Sequence, residues 1–259
     1  MTRHSRRLGA VAALTAVGVL ATACGSGSSG GGSSGRTATG ASGSRTATIT
    51  VFAASSLTNA FADEGAAFAL QAHQKVTFSF AGSQDLVAQV NQGAPADVLA
   101  TADQKTMGKV AAAAGRSRVF AHNRLVIVTA PGNPKHIAGL RDLARSGLAV
   151  VLAAKAVPAG NYAATALAAA GVTVHPKSLE AEVRGVLTKV ELGEADAGVV
   201  YASDAKAAGA KVTAVAVPQS PVAAYPVAAL HADGQAFVDF LLSGPGQAIL
   251  VKHGFLPAS

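Results

Sequence analysis

Short apolar runs alternate along the chain with longer segments in which apolar residues recur at helical spacing. The first run leads through two small residues into Leu57, Phe61 and Phe68, which share one face of a predicted helix. The order of strand, small residues, serine and helix then repeats. In the first half of the chain, strands are predicted at 48–52, 75–80 and 98–101, and helices at 57–68, 86–90 and 103–114. Three strand–helix units in succession predict a parallel α/β sheet.

The middle third of the chain, residues 126–218, contains a complete α/β set of its own. Its predicted strands are 124–130, 148–153, 197–201 and 211–217, and its predicted helices are 161–170 and 179–190. An apolar segment at 225–230, a helix at 234–242 and a last short helix that ends at His253 complete the chain. We therefore predict two α/β lobes, lobe I from 46–124 plus 219–259 and lobe II from 125–218. Ligands bind in clefts at the carboxyl ends of strands, and two such lobes make a cleft between them.

Two serines, Ser56 and Ser83, each stand between a predicted strand and the helix that follows it. A strand that ends in small residues and opens a helix leaves unpaired N–H groups, which is an anion site in outline. Taken singly, however, such a serine is usually a helix cap, and a tyrosine at a strand end, such as Tyr201, is usually a buried residue with one hydrogen bond. The residues alone therefore suggest an anion-binding cleft and no particular anion.

The formal net charge of +7 is concentrated near the N-terminus. All 14 acidic residues follow residue 45, whereas five of the 21 basic residues precede residue 46. Residues 46–259 therefore carry 16 basic and 14 acidic side chains, a net charge of +2, and contain no basic run. This distribution does not indicate nucleic-acid binding.

The first 45 residues are typical of an exported protein. Arg3, Arg6 and Arg7 precede a short apolar stretch that ends at Cys24, the only cysteine of the chain. The residues before Cys24 resemble the lipobox of bacterial lipoproteins, although Ala21 stands where that motif usually has leucine. We predict a signal peptide at 1–23, then a lipidated Cys24 with a flexible Gly/Ser tether at 24–45, and hence an extracytoplasmic protein anchored to the cell membrane. An ordinary secretory signal is the alternative.

Patterns of known catalytic sites are missing from the sequence. It contains no Gly-x-Ser-x-Gly elbow, no His-Glu-x-x-His and no phosphate-binding loop, and its seven histidines are scattered. Asp97, Asp103 and Asp204 could suggest a metal site, but caps and hinge hydrogen bonds are the simpler interpretation. An enzyme is not predicted.

Five segments in succession carry a family resemblance. They are 51–60, 93–97 with 101–104, 157–160, 182–185 and 199–205. In this order they resemble the periplasmic molybdate-binding proteins of ABC transporters. The resemblance implies an α/β, two-lobed type II periplasmic solute-binding protein fold with the ligand cleft between the lobes. It also implies a monomer that binds molybdate, and tungstate as well, and delivers it to an ABC transporter permease without a cofactor.

The same resemblance assigns the ligand contacts. A tetrahedral oxyanion would be held by the hydroxyl and backbone N–H groups of Ser56 and Ser83, the backbone N–H groups of Ala159 and Val183, and the hydroxyl of Tyr201. Two departures from the family pattern are Gly82, where some relatives have serine, and Ser55, where alanine is commoner. The alternatives are a binding protein for another oxyanion or a small solute, and a non-catalytic surface lipoprotein.

Such a site would use neutral donors that are fixed before the ligand arrives. No lysine or arginine is required as a counter-ion, and Arg184 is expected on the exposed face of its helix. A ring of donors offers no acceptor to a protonated ligand, so hydrogen phosphate should be rejected. Hinges between the lobes are predicted near 122–124 and 218–221, and their closure over the ligand would shift the population of states.

Overall fold

Two five-stranded sheets organise the part of the chain that the structure describes. The computed structural model describes residues 48–113, 115–218 and 220–258. The predicted signal peptide (1–23) and the predicted tether with its lipidated Cys24 (24–45) lie outside these ranges. None of the helices within them combines the length and the hydrophobicity needed to cross a membrane.

The first sheet is mixed. Its strands are β1 (Ile49–Ala54), β2 (Val76–Ala81), β3 (Val98–Ala100), β4 (Arg118–Asn123) and β10 (Ala223–Ala229). The spatial order is β2-β1-β3-β10-β4. β1 runs parallel to β2 and β3, as the strand–helix units predict, whereas β10 is antiparallel to both β3 and β4. The chain therefore returns to this sheet as β10, which runs opposite to the other four strands.

The second sheet has the same plan. Its strands are β5 (Leu125–Thr129), β6 (Val150–Ala153), β7 (Ser178–Glu180), β8 (Ala197–Tyr201) and β9 (Thr213–Ala216). The order is β7-β6-β8-β5-β9, with β6 parallel to β7 and β8 and with β5 antiparallel to β8 and β9. Both sheets thus place three parallel strand ends side by side at one edge.

Eight α-helices in the described residues cover the sheets or open beside the strand ends. They are α1 (Thr58–Ala72), α2 (Ser83–Asn91), α3 (Gln104–Met107), α4 (Pro158–Ala169), α5 (Val183–Glu191), α6 (Ala202–Ala208), α7 (Gln235–Leu242) and α8 (Gly244–Lys252). A short 3-10 turn, Ser55–Leu57, lies between β1 and α1.

Two predicted elements differ from the structure, and two observed elements were not predicted. The helix expected at 103–114 is only the short α3, because the chain turns at Gly108 and buries Val110 and Ala113 instead. Residues 178–180 are strand and not the start of a helix, since they pair with β6 along 151–153. β4 and α6 were not predicted at all, and the sheets are mixed and not parallel.

The chain passes between the two sheets at two places in the described residues. The first is Arg124, between β4 and β5, and the second is the segment that joins β9 to β10. These crossings touch, because the Leu125 N–H donates to Ser220 Oγ over 2.8 Å. Both coincide with the segments predicted as hinges, and hinge motion itself stays a prediction.

Candidate functional site

All five residues assigned to the ligand line one cavity between the two sheets. Its walls come from both, and the space that it leaves is small. The lining residues are Ala54, Ser55, Ser56, Ala81, Gly82, Ser83, Ala102, Val157, Pro158, Ala159, Val183 and Tyr201. No residue among them carries a formal charge.

The cavity lies where helices begin. Ser83 is the first residue of α2 and Val183 the first residue of α5, so neither amide has a partner within its helix. Pro158 opens α4 without an N–H group, which makes Ala159 the first free amide of that helix. Ser56 lies in the 3-10 turn that leads into α1. Four chain segments therefore direct the positive ends of their peptide dipoles at one small space.

Each serine hydroxyl contacts a residue that does not belong to its own helix or turn. Ser83 Oγ accepts a hydrogen bond from the Ala102 N–H over 3.1 Å, and Ser56 Oγ lies 3.0 Å from the Tyr225 hydroxyl. Ser56 and Ser83 are buried, at 5% and 2% exposed. Neither side chain caps its own helix, so the cap interpretation that the sequence left open does not describe them.

Tyr201 supplies a third hydroxyl. It is 1% exposed, and its hydroxyl faces that of Tyr225 without forming a hydrogen bond of ordinary geometry to any described residue. Burial raises the pKa of the Tyr201 hydroxyl well above its usual value, so the group keeps its proton at neutral pH. A buried hydroxyl without a partner costs about 1–3 kcal/mol. In a cavity wall, it is a donor that awaits an acceptor.

Arg184 contradicts the expectation that it lies on the exposed face of its helix. Its side chain is only 25% exposed, and it extends from α5 to the opposite lobe. Nε donates to the Ser55 carbonyl over 3.3 Å, and Nη2 donates to the Asn59 side-chain oxygen. The reason is that the 3-10 turn and the first turn of α1 present acceptors that a guanidinium on α5 can reach.

Asp204 lies beside Arg184 and behind Tyr201. Its Oδ2 accepts the Tyr201 N–H over 3.2 Å, and its Oδ1 is 3.8 Å from Arg184 Nε. Burial raises the pKa of the Asp204 carboxyl to about 7, and the Arg184 charge acts against this rise. The carboxylate at the back of the site is therefore only partly ionised at neutral pH, which limits its repulsion of an anion.

The other acidic residues considered as metal ligands bind backbone amides instead. Asp97 Oδ2 accepts from the Thr50 N–H, and Asp103 Oδ1 accepts from the Thr106 N–H at the start of α3. Among the described residues, no group of three or more His, Cys, Asp or Glu side chains is placed to hold a metal ion.

The two lobes touch around the cavity. Gln84 Nε2, from α2, donates to the Ala181 carbonyl of the opposite lobe over 2.8 Å. Gly82 lies in the same contact, since a Cβ atom there would come within 2.7 Å of that carbonyl oxygen. A side chain at Gly82 would therefore collide with the opposite lobe in this arrangement.

Sequence reasoning missed the residues that support the donors. Tyr225 and Gln84 belong to none of the five segments, Ala102 lies in the segment 101–104 but was given no role, and Arg184 was assigned to solvent. Their roles depend on contacts between residues far apart in the chain, such as the 169 positions between Ser56 and Tyr225. No local pattern marks such a pair.

Comparisons with known proteins agree with this geometry. Residues 49–256 match the family described as bacterial extracellular solute-binding protein. The molybdate-binding protein ModA of Mycobacterium tuberculosis is 42% identical over 258 residues, which cover 95% of this chain and 96% of that protein. The molybdate-binding protein ModA of Escherichia coli is 38% identical over 226 residues, 80% of this chain and 88% of that protein.

A solved structure shows the same fold. The periplasmic molybdate-binding protein of Azotobacter vinelandii superposes with a TM-score of 0.70 at 20% identity, covering 80% of this chain and 98% of that chain. At this identity the likeness concerns the fold alone, and it confirms the predicted two-lobed α/β architecture. The family match, together with the identity to the curated relatives along most of their length, shows that the chain belongs to the bacterial extracellular solute-binding proteins and, among them, to the ModA family of molybdate-binding proteins.

Proposed function

We propose that the protein binds molybdate, and tungstate as well, outside the cytoplasmic membrane and delivers it to an ABC transporter permease. The observation that carries the proposal is the cavity in which Ser56, Ser83, Ala159, Val183 and Tyr201 meet. It offers hydroxyl and amide donors and no formal charge. A compact anion with acceptors on all sides fits such a lining. The curated relatives named above supply the identity of the anion.

The energetics favour donors that are fixed in advance. A hydrogen bond to a charged group contributes about 1.5–3 kcal/mol, so about seven such bonds contribute roughly 10–20 kcal/mol before costs. Association costs roughly 4–15 kcal/mol, and the dianion must also lose its water. The balance allows tight binding only when little freedom is lost by the donors. Helix-start amides such as those of Ala159 and Val183 meet this condition, as does the buried hydroxyl of Tyr201.

The mechanism that we propose is capture by closure of the two lobes. Ser56 and Ser83 belong to one lobe, and Ala159, Val183 and Tyr201 belong to the other, so all five donors surround the ligand only in the closed state. A ligand that contacts both lobes stabilises that state in proportion to its extra affinity for it. The Gln84–Ala181 and Arg184–Ser55 hydrogen bonds would form at the same time. The closed form would then be the one that docks on the permease.

The remaining parts of the proposal concern the setting. We propose an extracytoplasmic monomer that is tethered by a lipid on Cys24, carries no cofactor and catalyses no reaction. The family description as extracellular supports the location, and the sequence before Thr46 supports the anchor.

Calorimetric titration tests the proposal. The purified protein is expected to bind molybdate tightly at one site, and to bind tungstate tightly at the same site. Phosphate, which carries a proton at neutral pH, is expected to compete poorly, because the cavity offers it no acceptor. Phosphate that competes as well as molybdate, or a titration with molybdate that gives no heat and no protection against thermal unfolding, would contradict the proposal.

Replacing Gly82 with alanine is expected to weaken molybdate binding by about tenfold. The new Cβ atom would meet the Ala181 carbonyl oxygen of the opposite lobe, so the closed state would be strained or left incomplete. Calorimetry gives the affinity, and small-angle scattering gives the decrease in radius of gyration that molybdate causes.

Gly244→Ala is the matched control for this variant. Gly244 opens α8, and a Cβ atom there would meet nothing within 4 Å. The control is expected to bind and close as the wild type does. If Gly82→Ala also binds molybdate with unchanged affinity and shows the same compaction, the contact at Ala181 does not belong to the liganded state.

A further inference from the structure

We propose that Tyr225, which does not line the cavity, fixes the direction of the Ser56 hydroxyl and thereby makes the site selective for anions that carry no proton. This inference rests on the proposed function and concerns the specificity of the same site. Tyr225 lies on β10 and is completely buried. Its hydroxyl oxygen lies 3.0 Å from Ser56 Oγ, and this is the contact on which the inference depends.

A serine hydroxyl is ambiguous by itself. It holds one proton that it can donate and two lone pairs that can accept. A rotating Ser56 hydroxyl could therefore either donate to an anion oxygen or accept the proton of a protonated anion. The cavity rejects protonated anions only if the Ser56 hydroxyl cannot accept their proton.

Ser83 shows how this is done where the direction is certain. Its Oγ accepts from the Ala102 N–H over 3.1 Å, and a backbone N–H can only donate. The Ser83 proton is therefore free to point into the cavity. The hydroxyl presents itself to the ligand as a donor.

The surroundings of Tyr225 indicate the same direction at Ser56. Asn123 Oδ1 accepts the Arg124 N–H over 2.9 Å, which leaves the amide nitrogen as the donor end of that side chain. Asn123 Nδ2 donates to Ser203 Oγ over 2.9 Å and also faces the Tyr225 oxygen, without a hydrogen bond of ordinary geometry to it. Because that nitrogen can only donate, the Tyr225 hydroxyl turns its own proton away from it and towards Ser56 Oγ, the acceptor that lies at hydrogen-bond distance. The Ser56 proton is then left for the ligand.

The resulting chain of donors runs from Tyr225 through Ser56 to the cavity, with Asn123 beside the Tyr225 hydroxyl. Asn123 is the last residue of β4 and directly precedes the first crossing between the lobes. Tyr225 also faces the hydroxyl of Tyr201, but these two hydroxyls do not form a hydrogen bond of ordinary geometry. Among the hydroxyls of the described residues, Ser56 is therefore the recipient that the distances support.

The test is the Tyr225→Phe variant, which keeps the ring and removes the hydroxyl. We expect its molybdate affinity to fall by about three- to tenfold, since Ser56 is no longer oriented. We also expect the ratio of phosphate to molybdate affinity at neutral pH to rise by about tenfold, because the freed lone pairs of Ser56 can accept the phosphate proton. Competition of inorganic phosphate against molybdate, followed by calorimetry, measures both.

Two further variants separate this role from simple damage to the fold. Tyr162→Phe removes another phenol, one that faces Asp103 and the Ala224 backbone and does not line the cavity, and it should leave the ratio unchanged. Ser56→Ala removes the hydroxyl itself, so both molybdate and phosphate should lose one donor and bind more weakly by a similar factor, which leaves the ratio unchanged.

The outcomes are distinct. A Tyr225→Phe variant with wild-type molybdate affinity, or one that loses affinity for both anions by the same factor, overturns the inference and leaves the proposed function standing. A wild-type protein that binds no oxyanion overturns both. A changed ratio that appears in Tyr225→Phe and not in Tyr162→Phe or Ser56→Ala supports the assignment.

Discussion

Replacing Glu64 with methionine is expected to raise the free energy of unfolding at pH 8 by about 2–5 kcal/mol. Glu64 lies on α1 with Phe61 and Phe68 on the same face, and it is 0% exposed. Neither carboxyl oxygen has a hydrogen-bond partner among the described residues. A buried carboxyl group without a hydrogen-bond partner destabilises the folded state whether it is protonated or ionised.

The direction of the pH dependence follows from the pKa of Glu64. Burial raises this pKa from 4.5 to about 9, with a small further rise from the Asp63 charge. Between these two values the folded protein holds a proton that the unfolded chain has lost, so stability falls as pH rises. The slope is about 1.4 kcal/mol per pH unit, and the loss is complete only above the folded pKa.

Glu64→Gln is the matched variant for this prediction. It cannot titrate, so the fall in stability between pH 5 and pH 8 should become shallower by about 1.4 kcal/mol per pH unit, while the variant keeps the cost of a buried polar group. A fall that Asp204 causes should remain below about pH 7, because burial raises the pKa of Asp204 to about 7. Denaturant unfolding at several pH values measures both variants. Neighbouring Asp63, whose pKa is lowered by hydrogen bonds from His253 and Lys252, loses its contribution only in acid and does not interfere. A wild-type protein whose stability is flat or rising over this range, with Glu64→Met no more stable, would refute the account of Glu64.

Replacing Ser83 with alanine is expected to weaken molybdate binding by about 10- to 150-fold. The variant loses a hydroxyl that donates to a charged ligand, a bond that contributes about 1.5–3 kcal/mol. It also leaves the Ala102 N–H without its acceptor, in a region where both residues are buried. The ligand-free protein should therefore lose about 1–3 kcal/mol of stability as well.

Ser178→Ala is the control for Ser83. The Ser178 hydroxyl bonds to Glu180 and Lys189 beside β7 and does not line the cavity. This variant should bind molybdate as the wild type does. Calorimetry and thermal unfolding without ligand separate the two effects at Ser83. An unchanged affinity in Ser83→Ala would show that the hydroxyl does not contact the ligand.

Local sequence patterns predicted most strands and several helix starts, because burial and helical spacing leave a direct trace in the sequence. β1, β2 and β6 follow from their apolar runs, and the small residues after β1 mark the turn at Ser55–Leu57. The segment at 178–180 was assigned wrongly, since its pairing with β6 is a tertiary contact that overrides local preference. β4 was missed because Arg118 and His122 interrupt its apolar pattern.

The candidate site could be predicted only as far as a family resemblance assigns residues. Ser56 and Ser83 look alike in the sequence, each between a strand and a helix, yet their hydroxyls are held by different partners. Tyr225 and Ala102 are placed behind them by the order of strands in the first sheet, where β3 and β10 are neighbours. Strand order is not written in any single segment. The contacts of Arg184 with the opposite lobe depend likewise on how the lobes meet.

The most direct test of the account is a crystal structure of the molybdate complex, with the metal located by its anomalous scattering. One molybdate site is expected in the cavity, with oxyanion oxygens about 2.6–3.1 Å from the donors of Ser56, Ser83, Ala159, Val183 and Tyr201. Arg184 would keep its contacts with Ser55 and Asn59 and would not touch the ligand. A molybdate ion held by lysine or arginine side chains, or located outside this cavity, would contradict the claim that fixed neutral donors bind it.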